Sequence, residues 1–385
     1  MKKLRVAVVG MGIGRPNGLA LANNPRAEVV ALCDLFEERM NDFALLLPQP
    51  GEVRLYTDFD ELCRSREIDA VFIGTPNQLH APMGLKAVAH DKHVLLTKPL
   101  ADSVAAAARL VETAEAAGVV NMMSLSTRFS AEVQYMGALA GQGIFGDLYY
   151  ARARSIRRNG IPSWNTGFIR EGGGAFRDMG VHVLDSAWWL LGMPRLLSVT
   201  GVAGAKFGPR GLGYFGRKAS GETTAAPESY YSQFAADDYA GGFIRFEDGS
   251  ALQVESFWAS HQPGDLQIEL FGDEAGAQLR PPTLYTNGPV PKAVLKTAEK
   301  FGAKPQAGRS LNDEARPLDV TFDGLIEAKS KAWNTIADHF IACILDDVPC
   351  EAPLRHGLIV QEMMEGLLRS AETGQELRLD DKNGE

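Results

Sequence analysis

Asp178 and His182 stand four apart in DMGVHVLDSAWWLLG, a stretch whose apolar spacing reads as helix. On a helix the carboxylate and the imidazole share one face about one turn apart, and Asp185, three residues on, shares it too. An imidazole titrates near neutral pH and suits a proton step, so His182 is the candidate acid/base. Asp178 would orient it or hold a neighbouring hydroxyl. The glycine run Gly172–Gly174 just upstream points to a close backbone approach into this helix. Taken alone the pair has a plainer reading, in which Asp178 caps the helix and His182 is a satisfied core residue.

A second constellation opens the chain. LRVAVVG reads as a strand and runs into Gly10-Met11-Gly12-Ile13-Gly14-Arg15. Glycines there permit a tight turn and let backbone amides approach a pyrophosphate at a helix N-terminus, so Gly10, Gly12, Ile13 and Gly14 are candidate dinucleotide contacts. Arg15 stands where GxGxxG has its third glycine, and a ligand-free strand-to-helix turn is the alternative. EVVALCD ends in Asp34, about twenty residues beyond the glycines, where a carboxylate accepts hydrogen bonds from the adenosine ribose. Asp34 would repel a phosphate on that ribose, and Leu35 and Phe36 offer no offsetting charge, so NAD is the expected cofactor. Arg39 leaves NADP open. Asp34 also reads as a cap of the next helix.

The elements that must carry these residues differ along the chain. Residues 1–125 alternate β-branched runs (LRVAVVG, EVVALCD, AVFIGTP, HVLLTKP) with helical stretches such as APMGLKAVAHD and SVAAAARLVETAEAAG, the pattern of a doubly wound parallel α/β domain. From about Leu148 strand-like runs follow one another with few helices, which predicts a large, mainly antiparallel open sheet in an α+β domain over 126–385. Asp248-Gly249 is a hairpin signal. Gly208–Glu228 and Thr286–Leu318 read as loops. WNTIADHFIACILDD and RHGLIVQEMMEGLLRSAETG read as amphipathic helices, the second stopped by Gly374.

Composition narrows the partners. A net charge of −9 over 385 residues argues against nucleic acid, which needs a clustered positive field. No run approaches the roughly 18 uncharged apolar residues of a membrane span. Cys33, Cys63, Cys343 and Cys350 include no CxxC pair, so neither a metal site nor a disulfide framework is expected, and reduced thiols fit a cytoplasmic protein.

With Thr97-Lys98-Pro99 the sequence resembles the Gfo/Idh/MocA (glucose-fructose oxidoreductase / inositol dehydrogenase) family over nearly its whole length. The likeness rests on the glycine turn, GTPNQLHAP at Gly74–Pro82, HVLLTKPLA at His93–Ala101, GGGAFRDMGVHVLD at Gly172–Asp185 and the closing RSAETG. Thr97 stands where the family's Glu-Lys-Pro has glutamate. The resemblance implies a Rossmann domain followed by an open-sheet domain whose other face builds a homodimer or homotetramer, and a cis Lys98–Pro99 peptide. It implies that Lys98, Asp178 and His182 form the catalytic set of an NAD-dependent enzyme moving a hydride to or from a hydroxyl or ketone of a sugar, glycoside or cyclitol. Lys98 would then steady the negative charge that develops on the reacting oxygen.

Further candidates surround that set. Thr75, Asn77 and His80, after a strand end, and Thr97 and Lys98 are candidate cofactor contacts, although Pro76-Asn77 equally reads as a turn. Arg128 is a candidate contact to substrate or cofactor, or a structural ion pair. Trp164 and Arg157 offer a flat indole and a forked donor to a sugar, whereas Trp188, Trp189 and Trp258 read as core. Two other functions use the same residues: redox-assisted cleavage of a glycoside by a tightly bound NAD, and non-catalytic cofactor sensing. An intact acid/base set argues against the second.

Overall fold

The computed structural model describes residues 3–12, 14–216, 226–307, 318–324 and 332–379. The chain divides into two compact units, residues 1–129 with 330–361 and residues 130–329 with 362–385.

In the first unit β1 (Leu4–Val9), β2 (Ala27–Cys33), β3 (Arg54–Tyr56), β4 (Ala70–Ile73), β5 (His93–Leu96) and β6 (Asn121–Met123) form a parallel sheet in the order β3-β2-β1-β4-β5-β6. This is the doubly wound order, in which direction of travel reverses between β1 and β4. Central strands covered on both faces must be apolar throughout, and Val6 to Val9 and Ala70 to Ile73 are all buried. The crossovers are α1 (Gly14–Asn23), α2 (Glu37–Ala44), α3 (Phe59–Arg64), α4 (His80–Val88) and α5 (Val104–Ala116). In α5, Ser103 caps the first turn by accepting the Ala106 N–H, and Ala107, Leu110, Val111 and Ala114 make the buried stripe.

The second unit holds α6 (Ala131–Ala140), β7 (Leu148–Ile156), β8 (Ile161–Pro162), α7 (Val181–Leu190), β9 (Leu196–Gly204), β10 (Tyr214–Phe215), α8 (Glu228–Tyr231), β11 (Tyr239–Phe246), β12 (Ala251–Phe257), β13 (Asp265–Gly272), β14 (Ala275–Gln278), β15 (Thr283–Thr286), α9 (Lys292–Lys300), β16 (Lys304–Ala307), β17 (Leu318–Asp323) and β18 (Leu377–Arg378). Ten of these strands make one sheet, β16-β17-β15-β14-β13-β7-β12-β11-β9-β18, antiparallel except where β7 and β12 run parallel. The expected open sheet is therefore present as a mixed, mostly antiparallel one. Its period-two pattern buries Ala151, Ala153, Leu252, Val254, Ile268 and Leu270 on the face that α7 covers. The opposite face carries exposed Val202 and Phe243 and, on β7, Arg154, whose guanidinium bridges Asp265 and Glu269.

Helix α10 (Ala332–Leu345) and the start of α11 (Leu354–Thr373) belong to the first unit, where Ile336, Ala337, Phe340, Ile341, Leu354 and Leu358 join its core. Residues 330–361 thus group with the first unit, because this buried stripe packs there. Later residues of α11 belong to the second unit, where the Leu367 backbone leaves no room for a Cβ at Gly201. The loop expected over Thr286–Leu318 instead contains α9 and β16, with Val294, Thr297 and Ala298 buried; residues 308–317 lie outside the described set. Among the described residues no helix is long and apolar enough to cross a membrane.

Candidate active site

In the first unit the candidate residues gather at the carboxyl ends of β1, β2, β4 and β5. Gly10 has a φ of +85°, and a Cβ there would meet the Gly74 carbonyl oxygen at 2.6 Å, so only glycine fits. Its N–H donates to Cys33 O, and the Gly74 N–H donates to Val9 O, each at 2.8 Å. At Gly12 an added Cβ meets nothing within 4 Å, which marks the open side of the turn. Gly14 begins α1 with its Cβ position 3.3 Å from Val8, and Gly18 one turn later lies 2.8 Å from Phe43 by the same measure. Close packing of α1 on β1 and α2 is thus served by Gly14 and Gly18, which leaves position 15 free for an arginine. Ile13 lies outside the described residues.

Asp34 is tied to the turn itself. Its Oδ2 accepts the Met11 N–H at 2.7 Å and its Oδ1 the Phe36 N–H at 3.1 Å. It does not cap α2, whose N-cap is Phe36. The Arg39 guanidinium lies over the Phe36 ring, 4.4 Å from its centre.

After β4, Thr75 Oγ1 donates to the Met83 sulfur at 3.6 Å, and Asn77 Oδ1 accepts the Gln78 N–H at 3.1 Å in a short turn. After β5, Thr97 is buried with its N–H on Ile73 O, Lys98 is half-buried, and the Lys98–Pro99 peptide is cis. His80 differs from its expected role as a cofactor contact. Its ring is 1% exposed, with Nδ1 2.6 Å from Pro99 O and Nε2 2.7 Å from Thr75 O. It fastens the loop after β4 to the loop after β5 and presents no ring edge to a ligand. Burial pushes its pKa below the ordinary value, while the two carbonyls pull it back up. Arg128 is likewise fully buried, its Nη1 2.6 Å from Glu351 O and 3.0 Å from His356 Nδ1, which gives it a structural place and no open face toward a substrate.

In the second unit the predicted single helix is two elements. Phe176–Gly180 is a π-helical turn that carries Asp178, and α7 follows with His182 in its first turn. Such turns put an extra residue into a helix and often mark working sites. Both side chains are half-buried. Asp178 Oδ2 accepts the Nε1–H of Trp258 at 3.1 Å, and Trp258 is fully enclosed. Trp258 is therefore core, as read, but its polar edge serves the site. Asp185 is 1% exposed, interior to the unit.

Two adjacent carboxylates that the motifs did not bring forward build the surroundings. Asp237 Oδ2 accepts the Phe176 N–H at 2.9 Å and its carbonyl accepts the Ala175 N–H at 3.0 Å, which holds the entry to the π turn. A side chain at Gly174, whose φ is +113°, would run into this carboxylate, so the predicted close approach falls there. Burial pushes Asp237 up to about 6. Asp238, fully buried, accepts the N–H groups of Lys206, Phe207 and Gly208 at 2.7 to 3.0 Å. The Asp237-Asp238 pair just before β11 was the available signal. Trp164 is 41% exposed, with Phe168 and Phe215 edge-on at 5.9 and 6.4 Å. Arg157 is exposed, its N–H on Phe257 O one residue before Trp258.

The residues of the first unit fit a dinucleotide: the turn is open at Gly12, and Asp34 holds Met11 while remaining partly exposed. Residues 4–125 match the family described as an oxidoreductase family with an NAD-binding Rossmann fold, and residues 133–278 match the GFO/IDH/MocA C-terminal domain. The chain is 27% identical to D-glucoside 3-dehydrogenase of Escherichia coli K12 over 98% of its own length and 97% of that protein. It is 27% identical to scyllo-inositol 2-dehydrogenase (NAD(+)) of Bacillus subtilis 168 over 71% of this chain and 72% of that one. A levoglucosan dehydrogenase, solved with NADH and levoglucosan, shares the fold with a TM-score of 0.77 at 19% identity, covering 99% of this chain and all of that one. With both family domains matched in order, the chain belongs to the GFO/IDH/MocA family and is an NAD-binding oxidoreductase.

Proposed function

We propose that the protein oxidises a secondary ring hydroxyl of a sugar or glycoside to a ketone, and reduces the ketone in reverse. The observation that carries this reading is the placement in the second unit of Asp178, held by the Trp258 indole, and of His182 on the helix that follows, on a unit that also exposes the Trp164 indole. Likeness to a D-glucoside 3-dehydrogenase over almost the full chain supports a pyranoside as substrate.

Bound NAD supplies the acceptor or donor of the hydride. Gly10, Gly12, Gly14, Asp34, Thr75, Asn77 and Thr97 hold it in this reading. His182 takes the hydroxyl proton, Asp178 keeps the imidazole oriented, and the Lys98 ammonium steadies the developing negative charge on oxygen. Arg157 and Trp164 meet the sugar's hydroxyls and apolar face. We also assign the protein to the cytoplasm as a homodimer or homotetramer formed through the sheet face that exposes Val202 and Phe243.

The test is an assay of glucosides, free pyranoses, inositols and anhydrosugars with NAD and NADP in parallel, following reduced nicotinamide and the sugar product. Stoichiometric NADH and a keto sugar are expected. Release of an aglycone with no accumulated NADH would replace this reading with redox-assisted cleavage. His182→Ala and Lys98→Met should each lose about a hundredfold or more in kcat while binding NADH as the wild type does.

A further inference from the structure

The first unit carries a side-chain cluster that the proposed reaction does not use. His339 and Cys343 are four apart on α10 and so share one face. The chain then reverses: α10 ends at Leu345, Asp347 takes a φ of 52°, and the Val348 N–H donates back to Ala342 O at 3.5 Å. This brings Cys350 back to the last turns of the helix. One donor atom from each of His339, Cys343 and Cys350 lies within 4.8 Å of the others, and Cys343 Sγ is 3.5 Å from His339 Nε2. Cys343 and Cys350 are neighbours without a CxxC spacing, because the reversal at Asp347 folds a seven-residue separation back on itself.

We infer that His339, Cys343 and Cys350 form a binding site for a thiophilic divalent cation of the Zn²⁺ class. Tetrahedral zinc bound by thiolate and imidazole places sulfur and nitrogen about 3.5 Å apart and two sulfurs about 3.8 Å apart. The sulfur–nitrogen edge to Cys343 already has that length, and the remaining edges need to close by about 1.3 Å at most. Soft sulfur donors select zinc over magnesium or calcium. On binding, two thiol protons leave to water, the metal replaces the Glu351 N–H that now sits 2.9 Å from Nε2, and the fourth position falls to a water.

The surroundings fit a structural clasp. The Phe129 ring centre is 5.6 Å from that of His339, and Cys350 Sγ lies 3.8 Å from Asn121 O at the start of β6. The Ala352 carbonyl accepts the Met123 N–H at 2.9 Å, so the returning segment is joined to the same edge strand. A metal here would tie the end of α10 to that segment.

The full-length protein, reduced and stripped with a chelator, should bind one Co²⁺ with a sulfur-to-cobalt charge-transfer absorption that Zn²⁺ displaces. The Cys343→Ser/Cys350→Ser variant should lose that absorption, and Cys33→Ser/Cys63→Ser should keep it. Because the first variant could fold poorly, a readout on the wild type stands beside it: Zn²⁺ should protect Cys343 and Cys350 from alkylation, read by peptide mass spectrometry. Absence of the absorption in folded wild type, its persistence without both cysteines, or equal alkylation with and without Zn²⁺ overturns the site.

Discussion

The Trp258 indole N–H donates to Asp178 Oδ2 at 3.1 Å from a ring with no exposed surface. A carboxylate aimed by a core residue keeps its direction as long as the core stays packed. Trp258→Phe keeps an aromatic ring and deletes the donor, at a cost of about 1.5–3 kcal/mol for a hydrogen bond to a charged group. The expected outcome is a fall in kcat/KM of about tenfold or more with NADH affinity unchanged. Steady-state kinetics beside a cofactor titration check this, and equal losses in both would remove the orienting role.

Gly10 and Gly12 are expected to fail in different ways when given a methyl group. Gly10→Ala forces a side chain onto a backbone at φ +85° and into the Gly74 carbonyl, so it should destabilise the fold by about 1–3 kcal/mol or more. Gly12→Ala meets nothing in the protein, so its melting point should stay near that of the wild type while NAD affinity falls. Thermal melts and fluorescence titrations of both variants separate the two effects.

Asp237 should leave a signature in the pH dependence of stability. A carboxyl raised from 3.8 to about 6 by burial binds its proton more tightly in the folded chain, so its contribution is present at low pH and lost as pH rises from about 4 through about 6. The shift corresponds to about 3 kcal/mol. Asp237→Asn keeps an acceptor for the Phe176 N–H without a charge, so it should be the more stable protein at neutral pH and lose that advantage near pH ~4. Urea midpoints of both proteins across this range check the sign; a gap independent of pH would refute it.

His80 spans two carbonyls that belong to different strand ends. His80→Ala leaves both buried acceptors without their ring partner, a loss of about 2 kcal/mol or more. Because Pro99 O is one of them and Lys98 is the residue before it, kcat should fall as well as stability. His80→Gln, which retains one donor group, should recover part of both, measured by melting point and turnover on the same preparations.

Much of the fold was legible because periodicity reports burial directly. VVALC in β2 and AVFI in β4 are apolar throughout as central parallel strands must be, and β7 and β12 alternate as a half-covered sheet does. The glycine turn was legible from composition, but which glycine did which job was not, since that depends on Phe43 and Gly74 arriving from elsewhere. Spacing in the sequence made Asp178 and His182 candidates and put them on consecutive helical turns, where they lie. The π turn that carries Asp178 was hidden, because one inserted residue changes no residue type. Trp258 read as core from its apolar bulk, and its N–H partner lies eighty residues away. The Cys343–Cys350 neighbourhood depends on a single reversed backbone at Asp347, which is not a glycine and gave no turn signal.

The return of 330–361 to the first unit bears on how the protein is made. A ribosome will have synthesised all of the open sheet except β18 before Ile336, Phe340 and Leu358 emerge, so the nucleotide-binding half spends most of translation with an uncovered apolar flank. Expressing residues 1–129 alone would make that interval permanent, and such a fragment should precipitate unless the two late helices are spliced back onto it.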